Sequence, residues 1–220
     1  MSSEHTARLL IHCQDQAGIV QAVSGFLYHS GANITSLDQY TTEAVGGDYF
    51  MRVEFVLPQL TTQLNSLSDN FTRNVAERYQ MNWRISLVQE RKKMALRVSK
   101  HDHALMELLW RHARGQLPCD IACVINIHHS FLPAFVGADP YRQAYEKGVK
   151  LIGATAHYVT VDLDQGPIIE QDVKRVDHRY TVTELRQLGA EVERQVLARA
   201  VLWHVEDRII VFGNKTVVFE

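Results

Sequence analysis

Along residues 1–89 the hydrophobic spacing switches between strand and helix periods in an order that leaves few folds open. ARLLIHCQ (7–14) reads as a strand, 18-GIVQAVSGFLYHSG-31 carries apolar residues at helical spacing and stops on Gly31, and NITSLDQYTTEA (33–44) returns to a strand. Gly46-Gly47 is a hairpin signal, DYFMRVEFVL (48–57) alternates as a third strand, and Pro58 ends it. LTTQLNSLSDNFTRNVAERYQ (60–80) is an amphipathic helix and NWRISLV (82–88) a fourth strand. The resulting βαββαβ order is that of a ferredoxin-like split unit.

The polar run 89-QERKK-93 reads as a solvated connector, and the grammar changes after it. MALRVS (94–99) is a strand, 101-HDHALMELLWRHARG-115 a helix with an apolar stripe, and DIACVI (120–125) a strand apolar nearly throughout, as burial on both faces requires. A short helix (140–148), two strands (150–160 and 167–176), a long helix (182–205) and a hairpin around Gly213-Asn214 (208–219) complete the chain. Strands alternating with helices predict an α/β domain with a mostly parallel sheet. Two domains are therefore expected, 1–89 and 90–220.

Charge and composition exclude several classes. Of the 220 residues 46% are hydrophobic, and 23 Lys and Arg nearly balance 25 Asp and Glu, so no strong field invites nucleic acid or an anionic membrane. The start, MSSEHTARLL, lacks a basic stretch followed by a long apolar run, and no apolar run is long enough to span a bilayer. Cys13, Cys119 and Cys123 are odd in number and read as buried, reduced thiols, which fits a cytoplasmic address. With no CxxC or HExxH pattern, no metal site is expected.

The stretch 125-INIHHSFLP-133 delivers Asn126 and His128 directly after a strand. In open α/β sheets ligands bind beyond the carboxyl ends of strands. Side chains two apart on extended chain share a face. An amide and an imidazole there can converge on one oxygen and stabilise negative charge that develops on it. The same spacing also suits a loop that satisfies only its own backbone. His157 and the pair Asp162/Asp164 lie in an apolar setting that ends at Gly166-Pro167. A partly desolvated carboxylate is suited to move protons. Amide, imidazole and carboxylate together suffice for hydrolysis or transfer at a carbonyl carbon, with no metal and no nucleophilic Ser or Cys.

INIHHSFLPAFVGADPYRQAYEKGVKLIGATAHYVTVDLDQGPIIEQDV resembles the catalytic half of the folate-dependent formyltransferases. With DQAGIV, GGDYFMR, VSKHDHAL, LARAV and RIIVFGNKTVVF added, the whole chain resembles the formyltetrahydrofolate deformylases, which join an ACT domain to a formyltransferase-like domain. The resemblance implies that Asn126 and His128 hold the formyl oxygen as it becomes an oxyanion. Asp164 would set the protonation of His128 and position a water, with Asp162 as the fallback on the same face. His157, Ser130 and Gly166 would contact the substrate. The implied substrate is 10-formyltetrahydrofolate, with no prosthetic group, and the products are formate and tetrahydrofolate. At the ACT domain the resemblance implies a small amino-acid effector (methionine and glycine in the family), gripped by backbone N–H groups near Asp15, Gly18 and Ile19 between paired subunits, so a homo-oligomer is expected. The residue pattern of DQAGIV alone equally fits a plain tight turn.

The sequence departs from the family at one junction. CDIACV runs straight into INIHHS, where the family has further strand–helix units that build much of the pterin pocket. A true deletion, residues omitted from the sequence, and a pocket rebuilt in another way each fit this junction. Val136 and Asp139 also stand where the family commonly has lysines. Two further functions stay open: a catalytically impaired, amino-acid-sensing regulator, and a formyltransferase to an amine acceptor. The ACT-like half argues against the transferase.

Overall fold

The computed structural model describes residues 5–43, 46–96, 103–124, 140–160 and 165–220. The chain divides into two compact units, Met1–Arg91 together with Phe219–Glu220, and Lys92–Val218.

The first unit runs β1 (Thr6–Gln14), α1 (Ile19–His29), β2 (Asn33–Thr41), β3 (Asp48–Val56), α2 (Leu60–Phe71), α3 (Glu77–Tyr79) and β4 (Asn82–Leu87). Its four strands form one antiparallel sheet in the order β2-β3-β1-β4. Leu9 stands opposite Val53 on one side and Ile85 on the other, so alternation sends Leu9, Ile11, Met51, Val53 and Phe55 to a single face. There they meet Val23 and Leu27 of α1 and Leu67 and Phe71 of α2. The single helix expected over 60–80 contains a π-helical turn at Thr72–Ala76 between α2 and α3. Phe71, Val75 and Tyr79 are all buried and recur every four residues. On a helix of 3.6 residues per turn that spacing drifts around the axis, and a wider turn offsets the drift.

The second unit runs β5 (Lys92–Leu96), α4 (His103–Ala113), β6 (Cys119–Val124), α5 (Pro140–Lys147), β7 (Leu151–His157), β8 (Ile168–Arg175), α6 (Val182–Val205), β9 (Ile209–Phe212) and β10 (Lys215–Val218). β5 and β6 pair parallel, with α4 as the crossover. The other described pairs, β7 with β8 and β9 with β10, are antiparallel. The reason is connection length: a parallel return needs a crossover of a dozen or more residues, and neither 158–167 nor Gly213-Asn214 supplies one. Among the described residues β6 has one partner strand, β5.

α6 organises this unit. Near its start, Leu185 meets Ala144, Ile152 and Val176. In its middle, Val192, Val196 and Ala200 cover Ala154 and Ala156 of β7. Further along, Ala198 and Val205 pack with Leu108, Leu117 and Cys119. Arg199 reaches Glu170 at 2.8 Å and Asp172 at 3.2 Å, which fastens α6 to β8. The helix opens on a capping box: the Thr181 hydroxyl accepts from the Glu184 N–H, and the Glu184 carboxylate accepts from the Thr181 N–H. It closes with Lys92 Nζ donating to the His204 carbonyl at 2.5 Å and to Asp207 Oδ1 at 2.6 Å, a cation placed where the helix dipole favours one.

Candidate functional site

In the first unit a cleft of about 660 Å³ opens between residues 15–21, Gln39–Thr41 of β2 and Tyr49 of β3. The chain turns into α1 at Gly18, whose φ of 96° is left-handed and favours glycine. A Cβ there would also come within 3.0 Å of the Tyr79 hydroxyl, so backbone and neighbour both select Gly. Gly18 gives α1 no side-chain cap, and the first turn carries no acidic residue. That helix end can therefore receive an anion through its backbone N–H groups. Ile19 buries its side chain in the core and offers this cleft its main chain. Asp15 is held by two bonds: its N–H donates to the Gly47 carbonyl at 2.7 Å, and its carboxylate accepts from Thr41 Oγ1 at 2.9 Å. The cleft thus presents helix N–H groups and a carboxylate close together, an arrangement suited to a small zwitterion.

Tyr49 donates its hydroxyl to Gln39 Oε1 at 2.6 Å. Burial, followed by the charges near Cys13 and Asp15, raises the Tyr49 pKa, which keeps the hydroxyl a donor. Behind the cleft the Cys13 thiol is pushed up to about 11 by burial first and by Asp15 and Asp48 next. It is a poor nucleophile at neutral pH.

In the second unit Asn126, His128, Ser130 and Asp164, with the fallback Asp162, lie outside the described residues, as do Val136 and Asp139. The junction between Val124 and Ile125 falls at the boundary of what is described. His157 and Gly166 are described, and they lie together. His157 ends β7 and its Nδ1 is 2.9 Å from the Tyr158 carbonyl oxygen. A carbonyl only accepts, so Nδ1 carries the proton, and in the neutral ring Nε2 is the basic nitrogen. Gly166 is buried against that bond: a Cβ at 166 would run into the Tyr158 carbonyl and come within 3.3 Å of His157 Nδ1. The Tyr158 N–H donates to the Pro167 carbonyl at 2.9 Å. Among the described residues no group of three or more His, Cys, Asp or Glu side chains could hold a metal ion.

One cluster in this unit was not legible as a site from the sequence. Glu193 of α6 accepts from His103 Nε2 at 2.7 Å and from the Tyr141 hydroxyl at 2.6 Å. The one local signal was Gly189, a glycine in the interior of a 24-residue helix. A Cβ there would collide with the Tyr141 ring and hydroxyl.

Residues 7–68 match the ACT domain family and residues 119–201 match the formyl transferase family. The chain is 42% identical to the formyltetrahydrofolate deformylase of Bacillus subtilis (strain 168), over 99% of this chain and 95% of that protein. That alignment spans 285 positions against the 220 residues of this chain, so the Bacillus protein carries residues with no counterpart here. Among solved structures, a formyltetrahydrofolate deformylase from Pseudomonas syringae pv. tomato superimposes with a TM-score of 0.89 at 36% identity, covering 98% of this chain and 95% of that one. One from Burkholderia mallei gives 0.86 at 33% identity, covering 98% and 100%.

Proposed function

The chain belongs to the formyltetrahydrofolate deformylase family, and we propose on that premise that it hydrolyses 10-formyltetrahydrofolate to formate and tetrahydrofolate. The observation that carries this reading is the 42% identity to a deformylase sustained over 99% of the chain, through both the ACT and the formyl transferase regions. Water adds to the formyl carbon, the C–N bond to N10 breaks, and the amine leaves with a proton. Asn126 and His128 donate to the oxygen that becomes negative, and Asp164 governs the protonation of His128 and orients the water. His157, with Nδ1 committed to the Tyr158 carbonyl, offers Nε2 as its basic nitrogen and supports the same reaction. Gly166 and Ser130 complete the substrate contacts. No prosthetic group takes part. The enzyme works in the cytoplasm, supplies formate for purine synthesis and balances the one-carbon folate pool.

The test is His128→Ala. Formate release from 10-formyltetrahydrofolate should fall by about 100-fold or more, as when a positioned donor to an oxyanion is removed, with the thermal midpoint unchanged. Turnover like that of the unmodified chain contradicts the assignment.

The first unit senses a small amino acid in the cleft at Asp15, Gly18 and Ile19, within a homo-oligomer. The uncapped start of α1 receives the ligand carboxylate, and the Asp15 carboxylate faces its ammonium group. Calorimetric titration with methionine and with glycine should show saturable binding of one of them that Asp15→Asn weakens. Binding left unchanged by that substitution removes Asp15 from the site.

A second reading has its own observation. The 285-position alignment leaves part of the deformylase sequence without a counterpart in these 220 residues. If those residues carry pterin contacts, the chain is a catalytically impaired sensor that keeps the amino-acid cleft. Fluorescence titration with a folate separates the two: saturable binding supports the hydrolase, and its absence supports the sensor.

A further inference from the structure

β5 and β6 run parallel, so their carboxyl ends lie on one edge of the pair, the edge at which α/β sheets hold ligands. The next described element after β5 is α4, which begins at His103, and the next after β6 is α5, which begins at Pro140. Both helix starts are fastened to a single side chain. Glu193 takes the His103 Nε2–H on one carboxylate oxygen and the Tyr141 hydroxyl on the other, at 2.7 and 2.6 Å. His103 is the first residue of α4, and Tyr141 the second of α5.

Gly189 supports a dedicated arrangement. It lies four residues before Glu193, on the same face of α6. An interior glycine weakens a helix relative to alanine. Here its missing side chain makes the room in which the Tyr141 ring lies on α6, since a Cβ would strike that ring and its hydroxyl. Burial first, and then the Glu193 charge, raises the Tyr141 pKa, so the phenol stays protonated and keeps donating. Glu193 itself is largely covered, with 18% of its side chain exposed, so the pair with His103 is not a solvated surface contact.

We propose that Glu193 is a positioning residue: its carboxylate, made reachable for Tyr141 by Gly189, fixes the first turns of α4 and α5, the two helices that follow β5 and β6 along the chain. The role rests on the hydrolase reading above, in which Asn126 and His128 belong to the stretch that ends where α5 begins. Glu193 touches no reacting atom in this role. It sets where the groups that do so are anchored.

The test compares Glu193→Ala, Glu193→Gln and Tyr141→Phe in the full chain, read by formate release and by amide hydrogen exchange. Glu193→Ala should lower kcat by about tenfold or more and leave KM within about twofold, because misplacement of oxyanion donors is felt in the transition state rather than in uniform binding. Glutamine keeps an acceptor for Tyr141 and a polar partner for His103, so Glu193→Gln should recover most of kcat. Tyr141→Phe removes one oxygen, retains the fold, and should show a smaller kcat loss of the same kind. A KM effect alone, or native kcat in both Glu193→Ala and Tyr141→Phe, overturns the proposal. Exchange reads the role without activity. Amides in the first turns of α4 and α5 should lose protection in Glu193→Ala and regain it in Glu193→Gln, with β1–β4 unchanged. Unaltered protection at both helix starts overturns the proposal. If the unmodified chain releases no formate, the hydrolase reading fails on its own and the exchange result alone decides whether Glu193 fixes the two helix starts.

Discussion

A Cβ at position 166 would enter the space of the Tyr158 carbonyl, the oxygen that receives the Nδ1 proton of His157. Backbone atoms cannot step aside as a side-chain tip can. Gly166→Ala should therefore cost about 1–3 kcal/mol, read as a lower thermal midpoint, and should free His157 Nδ1 from its carbonyl. An unchanged midpoint together with an unchanged His157 tautomer by NMR would show that this contact is looser than described. Cys13 gives a prediction in pH. Its thiol titrates at about 11 in the fold against an ordinary value of 9.0. The folded state thus holds the proton more tightly, a contribution fully present below pH 9 and lost as pH rises through 11. The thermal midpoint of the first unit should fall across that window, and Cys13→Ala should flatten the slope. Tyr49, raised by the same burial, adds to the fall at higher pH and remains in the variant.

At the scale of elements, α6 takes part in three of the second unit's apolar clusters, and its start is defined by the Thr181–Glu184 box. Thr181→Ala should lower stability by about 1 kcal/mol, and a midpoint unmoved by that change would mean that packing alone sets the helix start. Hydrogen bonds from Thr181 hold the Glu184 pKa below its ordinary value, so this support is present above the usual carboxylate range and is lost as pH falls through the folded value. Element type and order were legible because each segment commits to one period: β1, α1, β2, β3 and β4 fall where alternation, Gly31, Gly46-Gly47 and Pro58 place them. The π-helical turn at Thr72–Ala76 was not, because α- and π-turns share the same apolar spacing over a few residues. Strand direction in β7–β8 is a finding of the structure: the two strands pair antiparallel. Alternation of strands and helices announces the α/β class, shown by the parallel β5–β6 pair across α4, whereas the direction of one pair follows from connection length, here the length of 158–167.

At the scale of the molecule the chain is two units with separate cores. The first core draws its members from Ala7 through Leu87, all within one unit. Residues 1–91 produced alone should unfold in one cooperative transition, and a gradual, non-cooperative melt would show that this core is insufficient by itself. The family could be read from the resemblance carried by strings such as DQAGIV and DQGPIIEQDV, and the fold class from the order of strand and helix periods. The candidate site was legible in part. Asp15 and Gly18 lie at a strand-to-helix turn whose pattern alone equally fits a plain turn, His157 and Gly166 flank the Asp162/Asp164 pair in an apolar setting, and the resemblance supplied their roles. The Glu193 cluster joins residues 52 and 90 positions apart along the chain, a separation that no local pattern encodes.

The most direct measurement is quantitative formate release by the purified chain from 10-formyltetrahydrofolate, followed together with tetrahydrofolate formation and without any amine acceptor. Equal amounts of formate and tetrahydrofolate, produced catalytically and abolished by His128→Ala, are the expected result. No formate above the uncatalysed rate, from a chain that still binds an amino acid in the cleft at Asp15 and Gly18, would contradict the hydrolase and identify the sensor.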